Sequence, residues 1–511
     1  MTRRKARIHE FRKSFIHQLG LLLLSVIPFF FVPNSFAAPQ RPVPPKPNVV
    51  LIIADDLGYT DLGCYGSRYY ETPRIDQMAA EGVRFTQGYT AGPNCQPTRA
   101  AIFSGQYTAR TGVYTVGSID RFNWRSRPLR PVDNITELPL NCWTLGQLAK
   151  QAGYRTAYFG KWHLGEKGPY HPGARGFDEA ITSAGKHFDF VTNPRVDYPP
   201  GTYLADFLTE KSVEFIRRQS REVPFFLVLA HFVVHSPYDA KPDLVARFKN
   251  KPPADGHRDP IYAAMIASLD ESVGKLVDTL EQTGLGKQTL IIFTSDNGGV
   301  GGYEREGIVA RDVTDNAPLR GGKGMLYEGG IRVPFIFRWP GVIPPGSVCH
   351  QPIHSVDLFP TLLELTGLKA PENYPLDGLS IVPLLLQPER TDWPERSLFW
   401  HFPGYLGSGQ NTWRTTPVGV IRKGPWKLLE FFEDGRLELY NLEKDIGEKE
   451  NLADKLPDRT AALAAELRQW REKVGAAMPT PHQPEDTTLK GEPGRAGGVR
   501  AARAAGKPRS K

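Results

Sequence analysis

Acidic and amide side chains follow two short apolar runs of the sequence. Asp55 and Asp56 come directly after NVVLIIA, and Asp296 and Asn297 follow TLIIFTS. Carboxylate and amide oxygens are the ligands that Ca²⁺ and Mg²⁺ prefer in proteins. Each pair alone is more typical of a solvated turn or a helix N-terminus. Together the two pairs supply about four oxygen ligands, which suits a divalent cation.

Lysines and histidines form a second set of candidate residues. Lys161 and His163 alternate in GKWHLG, so both are predicted to point to one face, with Trp162 directed into the core. His235 ends the apolar run PFFLVLAHFVVH, and Lys323 lies in the glycine-rich segment RGGKG. Taken singly, such residues are more often solvated lysines or structural histidines. As a set they provide several cations and bases for an anionic substrate.

One of the four cysteines has unusual surroundings. Cys95 lies in GPNCQPTRAAIFSG, two residues before a proline and four before Arg99. A structural cysteine does not require these neighbours. Arg99 offers a planar fork of donors that suits tetrahedral oxyanions. A nucleophile, several cations and a metal cluster are together what transfer of a sulfuryl or phosphoryl group requires.

The apolar runs that precede these side chains are predicted strands. Helical patterns separate them, including a long amphipathic one in YAAMIASLDESVGKLVDTLEQTG that ends at Gly284. Strands that alternate with helices indicate an α/β domain around a largely parallel sheet. Because ligands bind beyond the carboxyl ends of the strands in such sheets, we expect a single site along one sheet edge.

A smaller α+β subdomain is predicted at residues 386–478, after a large domain at residues 48–385. VGVIRKGPWKLLEFF and LELYNLE, separated by the turn EDG, predict antiparallel strands. DRTAALAAELRQWREKV predicts a helix, with Asp458 as its N-cap and Leu463, Leu467 and Trp470 on one face.

The N-terminus has the pattern of a secretory signal peptide. Residues 1–37 comprise a basic start, the apolar run LGLLLLSVIPFFFV and the small residues of NSFAA, with cleavage predicted after Ala37. The short run with Pro28 inside it favours a cleaved signal over a retained anchor. We therefore expect an exported protein, periplasmic or secreted, with no stable membrane span. Residues 38–47 form a proline-rich spacer.

The net charge of +8 is concentrated at the chain ends. Residues 1–37 carry six Lys/Arg against one Glu, and residues 479–511 carry seven against three Asp/Glu, which leaves the residues between them near −1. The body is therefore not a basic surface for nucleic acid, and no nucleic-acid partner is expected. Residues 479–511 are predicted to be a disordered basic tail.

The sequence resembles the sulfatase family of the alkaline-phosphatase-like superfamily over roughly residues 46–475. Residues 95–99, CQPTR, match the family's C-x-P-x-R signature, and NVVLIIADDLG, GKWHLG, SDNGG and GGKGMLYEGGIRVP follow the family order. The members that it resembles are of the arylsulfatase and N-acetylgalactosamine-6-sulfatase kind. The resemblance implies a large domain with a mostly parallel mixed sheet between helices, followed by a C-terminal subdomain with an antiparallel sheet and a helix.

The resemblance also implies a mechanism. A formylglycine-generating or other sulfatase-maturating enzyme would oxidise Cys95 to formylglycine (3-oxoalanine). One hydroxyl of the hydrated aldehyde would attack the sulfur of a sulfate monoester. His163 would then remove the proton of the second hydroxyl, which expels sulfate and restores the aldehyde.

The remaining roles are implied in the same way. The metal would be Ca²⁺, with Mg²⁺ as the alternative, and its ligands would be Asp55, Asp56, Asp296, Asn297 and the modified residue 95. The other catalytic side chains would be Arg99, which holds the nucleophile, Lys161 and Lys323, which neutralise sulfate oxygens, and His235, which protonates or hydrogen-bonds to the leaving oxygen.

Some positions depart from the family pattern. Gln96 and Thr98 replace the small residues common within the signature, Ser104 and Gln106 differ in the segment after it, and Tyr238 stands where some members have a second histidine. The C-x-P-x-R core is intact, so maturation is still expected. The departure at Tyr238 affects contacts to the leaving group.

Two alternatives stay open on the sequence. One is a phosphomonoester or phosphodiester hydrolase of the same superfamily, which the formylglycine signature disfavours. The other is a silent protein that binds sulfated glycans through the same cations if Cys95 stays a thiol. Sulfated carbohydrate is the expected substrate class. Residues 121–134 and Tyr303 to Arg305 are either substrate contacts or ordinary loops.

Overall fold

The computed structural model describes residues 46–409 and 412–483. The predicted signal peptide, most of the spacer and almost all of the basic tail lie outside the described residues. The helices are α1 Pro73–Ala80, α2 Cys95–Ser104, α3 Thr108–Thr111, α4 Leu145–Gln151, α5 Leu204–Arg217, α6 Pro242–Phe248, α7 Pro260–Gln282, α8 Glu328–Ile331, α9 Leu358–Thr366, α10 Val382–Leu386 and α11 Pro457–Val474.

The strands are short and most of them are buried. They are β1 Asn48–Ala54, β2 Val83–Phe85, β3 Gly88–Tyr89, β4 Leu129–Arg130, β5 Arg155–Gly160, β6 Glu179–Thr182, β7 Phe225–Ala230, β8 Thr289–Ser295, β9 Phe335–Arg338, β10 Ser347–Cys349, β11 Ile353–His354, β12 Ser397–Phe402, β13 Leu406–Gly409, β14 Thr412–Thr415, β15 Val418–Lys423, β16 Trp426–Phe431, β17 Leu437–Asn441 and β18 Thr480–Pro481.

The main sheet has eight strands in the order β10-β2-β9-β8-β1-β7-β5-β6. Strand β9 runs antiparallel to its neighbours β8 and β2, and the other pairings are parallel. The four runs predicted as strands become β1, β5, β7 and β8, which are adjacent. The predicted α/β class with a mostly parallel mixed sheet is confirmed.

Both faces of the sheet are covered by helices. Alternate residues of β1 enter different cores: Val50 and Ile52 pack with α5 and α7, and Val49 and Leu51 pack with α2, α4 and α9. A strand buried on both faces needs apolar residues at every position. This explains the uninterrupted apolar runs of the sequence.

The C-terminal part contains the predicted antiparallel sheet and helix. Strands β12, β15, β16 and β17 form the sheet in that order, and α11 packs on it through Leu463, Leu467 and Trp470. The N-cap prediction was wrong, because α11 already begins at Pro457 and Asp458 lies in its first turn. Proline suits the first helical position, where an N–H has no partner within the helix.

Two further findings concern membrane-spanning helices and the cysteines. Within residues 46–409 and 412–483, every helix is too short or too polar to cross a membrane. All four cysteines are free thiols.

Candidate active site

The carboxyl ends of β8, β1, β7 and β5 meet at one edge of the sheet, because these strands are parallel neighbours. The residues that follow them are those singled out in the sequence: Asp296 and Asn297 after β8, Asp55 and Asp56 after β1, His235 in the loop after β7, and Lys161 and His163 after β5. The topology therefore brings the predicted site residues of four strands together.

The oxygen-bearing residues form a buried cluster. The backbone N–H of Asp56 donates to Asp296 Oδ1 at 3.2 Å, and Asn297 Nδ2 donates to Asp56 Oδ1 at 2.9 Å. Asp55 Oδ1 and Asn297 Oδ1 are buried and have no hydrogen-bond donor among the described residues. Buried polar atoms are rarely left unsatisfied in proteins. Two such hard oxygens in one cluster fit a Ca²⁺ or Mg²⁺ ion.

Cys95 faces this cluster from the first turn of α2. One ligand atom from each of Asp55, Cys95 and Asp296 lies within 4.8 Å of the others, and the same holds for Asp55, Asp56 and His235. Cys95 is 2% exposed, and its burial raises the pKa of the thiol. The N-terminal end of a helix favours a negative group, so α2 favours an anionic oxygen at position 95.

Arg99 lies on the same helix, one turn after Cys95, and is completely buried. Its Nε donates to Asp296 Oδ2 at 2.8 Å, and its NH1 donates to the carbonyl oxygen of Lys161. Arg99 thus joins α2 to the ends of β8 and β5. Because Arg99 holds both Asp296 and the main chain of Lys161 next to position 95, it sets the geometry of the site.

Two lysines pair with the adjacent aspartates. Lys161 Nζ lies 2.6 Å from Asp55 Oδ2, and Lys323 Nζ lies 2.6 Å from Asp56 Oδ1. Burial disfavours the carboxylate of Asp56, but the charges of Lys323, His235 and Lys161 outweigh it and hold its pKa well below the ordinary value. Likewise, burial opposes the charge of Lys323, while Asp56 raises its pKa above the usual range.

His163 adjoins the nucleophile position. Its Nδ1 lies 3.5 Å from Cys95 Sγ, and its backbone N–H donates to Glu166 Oε1 at 3.1 Å. His163 has a φ of 63°, a left-handed conformation that is uncommon outside glycine and that clusters at functional sites. Burial, followed by the charges of Lys161 and Arg99, holds its pKa well below the ordinary value. The imidazole is therefore neutral near pH 7 and can accept a proton.

His235 adjoins the two aspartates that follow β1. Its Nδ1 lies 2.6 Å from the carbonyl oxygen of Ser236, which can only accept, so Nδ1 carries a proton. Its Nε2 lies 3.7 Å from Asp56 Oδ2. Burial, together with the charge of Lys323, lowers its pKa to about 3. In the neutral ring Nε2 is therefore an acceptor, and it can donate only when the ring is an imidazolium.

Comparison with known proteins identifies the family. The sequence profile named Sulfatase matches residues 47–368, well over half of the chain. The chain belongs to the sulfatase family. A second profile, that of the C-terminal part of N-sulphoglucosamine sulphohydrolase, matches residues 322–474.

Similar proteins agree with this assignment. A sulfatase from Formosa agariphila is 35% identical over 84% of this chain and 90% of its own length. Human N-acetylgalactosamine-6-sulfatase is 35% identical over 69% of this chain and 68% of its own length. The crystal structure of Ps i-CgsB in complex with k-i-k-neocarrahexaose superposes with a TM-score of 0.70 at 30% identity, and covers 87% of this chain and 96% of that chain. The enzyme class is that of sulfate ester hydrolases.

The site of this sulfatase also contains two supporting residues: the sequence did not point to the first, His187, and did not indicate the supporting role of the second, Tyr303. His187 Nε2 donates to the carbonyl oxygen of His235 at 2.8 Å, and the hydroxyl of Tyr303 donates to the carbonyl oxygen of Lys323 at 2.7 Å. Tyr303 is completely buried, and it supports Lys323 by holding the main chain of that residue. No periodicity or motif marks either residue in the sequence.

Charge balance determines what this sulfatase can bind. Three carboxylates and three cationic side chains face one another in the site, so their charges cancel. A divalent cation would leave a net charge of about +2, which complements a sulfate ester and a developing oxyanion.

Proposed function

We propose that the protein hydrolyses sulfate monoesters of carbohydrates through a formylglycine made from Cys95. The observation that supports this most directly is the position of Cys95, with Asp55 and Asp296 within 4.8 Å and His163 at 3.5 Å. The carbohydrate class is supported by two similar proteins, an N-acetylgalactosamine-6-sulfatase and a protein whose structure contains a bound neocarrahexaose.

A divalent metal and an oxidised residue 95 are part of the proposal. Ca²⁺, or Mg²⁺, would be held by Asp55, Asp56, Asp296 and Asn297, whose oxygens suit hard cations. The metal acts as a Lewis acid when bound, and the hydrated aldehyde supplies the oxygen nucleophile. The thiol-to-aldehyde conversion needs a sulfatase-maturating enzyme as partner.

The cationic residues bind and orient the sulfate group. The ammonium groups of Lys161 and Lys323 reach the same carboxylates that line the metal position. With a cation on those carboxylates, both ammonium groups would be available to sulfate oxygens. Each charged donor aimed at a reacting oxyanion in a buried site contributes a few kcal/mol to transition-state stabilisation. Arg99 acts indirectly by fixing Asp296.

The two histidines transfer protons at different steps. His163 is neutral and adjoins position 95, so it accepts the proton whose removal releases sulfate from the enzyme. His235 stabilises the leaving oxygen from Nε2, and because Nδ1 already donates to Ser236, it does so as an imidazolium. The negative charge of the bound sulfate ester favours this form against the low pKa of about 3. A positioned general acid or base increases the reaction rate by about 10²- to 10⁴-fold.

The decisive experiment is the mass of the tryptic peptide of residues 85–99, from protein made with a maturation enzyme, alongside sulfate release from sulfated carbohydrates. Conversion of thiol to aldehyde lowers the mass by about 18 Da. An unmodified thiol in folded protein that binds sulfated glycans without cleaving them would establish the silent binding protein instead. Faster release of phosphate than sulfate from matched monoesters would establish the phosphatase alternative.

We also propose export of this enzyme after cleavage at Ala37. The proposal rests on the signal-like pattern of residues 1–37 alone. N-terminal sequencing of protein recovered outside the cytoplasm tests it, and an N-terminus at Met1 would contradict it.

A further inference from the structure

Two arginines without acidic partners lie near the nucleophile position. Among the described residues, neither Arg121 nor Arg414 forms an ion pair with a carboxylate, and Arg414 Nε is buried with no hydrogen-bond acceptor. By contrast, the neighbouring Arg127 pairs with Glu433. A cation without a counter-ion beside an active site is a candidate for binding an anionic part of the substrate.

The loop that carries Arg121 is attached to the signature itself. Gln96, which follows the nucleophile, accepts from the backbone N–H of Gly117 at 3.4 Å and donates to the carbonyl oxygen of Thr136. The Asn134 side chain accepts from two backbone N–H groups of this loop and donates to two of its carbonyl oxygens. The departure of Gln96 from the family pattern therefore has a structural role, since it fixes the loop ahead of Arg121.

Arg414 lies on β14 and contacts the loop that carries Lys323. Its Cζ lies 4.4 Å from the centre of the Tyr303 ring, and a Cβ at Gly324 would lie 2.9 Å from its Cδ. Gly324 directly follows Lys323, and its backbone N–H donates to the carbonyl oxygen of Pro93 at 2.7 Å. Arg414 thus lies along the loop that presents Lys323 to the sulfate position.

The two arginines are close enough to affect each other. Partial burial lowers the pKa of Arg121, the negative charge of an ionised Cys95 would raise it, and the positive charge of Arg414 lowers it further. The rings of Phe122 and Trp413, the neighbours of the two arginines in sequence, meet edge to face with centroids 6.3 Å apart. Repulsion between the cations is unfavourable until an anion lies between them. The adjoining aromatic surface suits the apolar face of a sugar ring.

We propose that Arg121 and Arg414 form an oxyanion subsite that binds a second acidic group, a sulfate or a carboxylate, on the same carbohydrate substrate. This inference rests on the proposed function and narrows its substrate class to carbohydrates with at least two anionic groups. The first group is the ester that is cleaved. The second is held by the arginine pair and places the sugar relative to His235.

Steady-state kinetics of the matured enzyme test the subsite. The substrates are 4-nitrophenyl sulfate, with one anionic group, N-acetylgalactosamine 4,6-disulfate, and the 6-sulfated uronate disaccharide of chondroitin. The R121Q/R414Q variant is expected to raise KM for at least one of the two carbohydrates by roughly 10- to 100-fold and to change kcat/KM for 4-nitrophenyl sulfate less than about threefold. The carbohydrate affected identifies the second group as sulfate or carboxylate.

The control is R125Q, which removes the same charge from an arginine that pairs with Asp120 and should leave all three substrates unchanged. An equal loss on every substrate, or no loss on any, would overturn the subsite. The dependence of KM on the arginine pair should also weaken as salt is raised, because Arg121 is accessible to solvent.

Binding measurements distinguish a failure of the subsite from a failure of the proposed function. Calorimetry with a Cys95→Ala variant measures affinity for the same carbohydrates without turnover. If arginine-dependent binding persists while the native enzyme cleaves nothing, the subsite stands and the proposed function fails. If the native and double-variant enzymes cleave and bind every substrate equally, the proposed function stands and the subsite fails.

Discussion

The Nδ1 atom of His163 lies 3.5 Å from the Sγ atom of Cys95, although the two residues come from a loop after β5 and from the first turn of α2. Burial keeps the imidazole neutral. A neutral base in direct contact with the nucleophile position is what release of sulfate from the enzyme requires.

Replacing His163 with alanine should therefore lower turnover more than substrate binding. We expect kcat to fall by about 10²- to 10⁴-fold with KM changed less than about threefold, because the residue moves a proton and does not carry a charge to the sulfate. The measurement is steady-state kinetics, with the mass of residue 95 checked in the same preparation. A matured variant with near-native kcat would exclude His163 as the base.

The contribution of His235 should depend on the leaving group. Sugar alkoxides need a proton as they leave, whereas nitrophenolate does not. His235→Gln should lower kcat/KM for a sugar sulfate by about 10²-fold or more, and for 4-nitrophenyl sulfate by less than about tenfold. Parallel losses on both substrates would instead assign His235 to the metal cluster, where it also lies close to Asp55 and Asp56.

Calcium should stabilise the folded protein through the carboxylates at the ends of β1 and β8. At 100 times its dissociation constant, a ligand that binds only the folded state contributes about 2.7 kcal/mol, which is a measurable rise in Tm. Thermal unfolding with EDTA and then with added Ca²⁺ or Mg²⁺ gives this shift without reference to activity.

The matched variants for calcium are Asp55→Asn and Asp278→Asn. Asp55 lies in the buried cluster, whereas Asp278 pairs with Arg74 at the surface. We expect Asp55→Asn to abolish the shift and Asp278→Asn to preserve it. A shift of the same size in both variants would place the ion elsewhere.

Stability should fall between pH 7 and pH 5 because two histidines are buried in the neutral form. Complete burial lowers the pKa of His231 to about 3. Burial is also the main reason why the pKa of His354 is lowered to about 3. A group whose pKa is lower in the folded state binds its proton on unfolding, so stability is lost as the pH falls below about 6.5. At pH 5 each histidine should lower the free energy of unfolding by about 2 kcal/mol.

Chemical denaturation at pH 7 and pH 5 measures this loss. His231→Gln keeps a partner for the Ser272 hydroxyl, which lies 2.9 Å from His231 Nε2. The variant should bind about one proton fewer on unfolding, so its stability should depend less on pH. The exposed His350→Gln is the control for the substitution. An unchanged pH dependence in His231→Gln would show that this histidine does not titrate on unfolding.

A buried ion cluster should make Lys427 important for stability. Lys427 on β16 lies 3.0 Å from Glu328 and 2.8 Å from Glu448, and none of the three side chains is exposed. Lys427→Met leaves the buried Glu448 without a cation and Glu328 with Arg332 alone, 3.2 Å away, which should destabilise the protein by about 3–5 kcal/mol. Lys150→Met, from an exposed pair with Asp178, should cost less than about 1 kcal/mol. Equal effects on the unfolding midpoint would contradict this reasoning.

The sequence was sufficient to predict the edge on which the site is built. Asp55, Lys161, His235 and Asp296 each follow an apolar run, and parallel strands end on one side of a sheet. The order of the strands was not predictable. The strands that lie next to β1 are determined by packing between residues 177 and 241 positions apart in the sequence.

The residues that come from irregular loops were less predictable. Lys323 was found through its motif, but Tyr303 and His187 support the site through backbone carbonyls, which any sequence provides. Arg414 reaches the site only because the C-terminal hairpin packs beside Phe122. Such contacts depend on tertiary packing and leave no local pattern.

The burial of α2 has a consequence for the order of events in the cell. Cys95, Pro97 and Arg99 are all buried, so the segment that the proposed maturation enzyme would read is inaccessible once the chain has folded. On the proposed function, oxidation has to happen on the nascent or newly exported chain. A molecule that folds first is committed to the inactive thiol form. The active fraction of a preparation then depends on the rate of Cys95 oxidation relative to the rate of folding. Slower folding would raise the active fraction without any change in the active site.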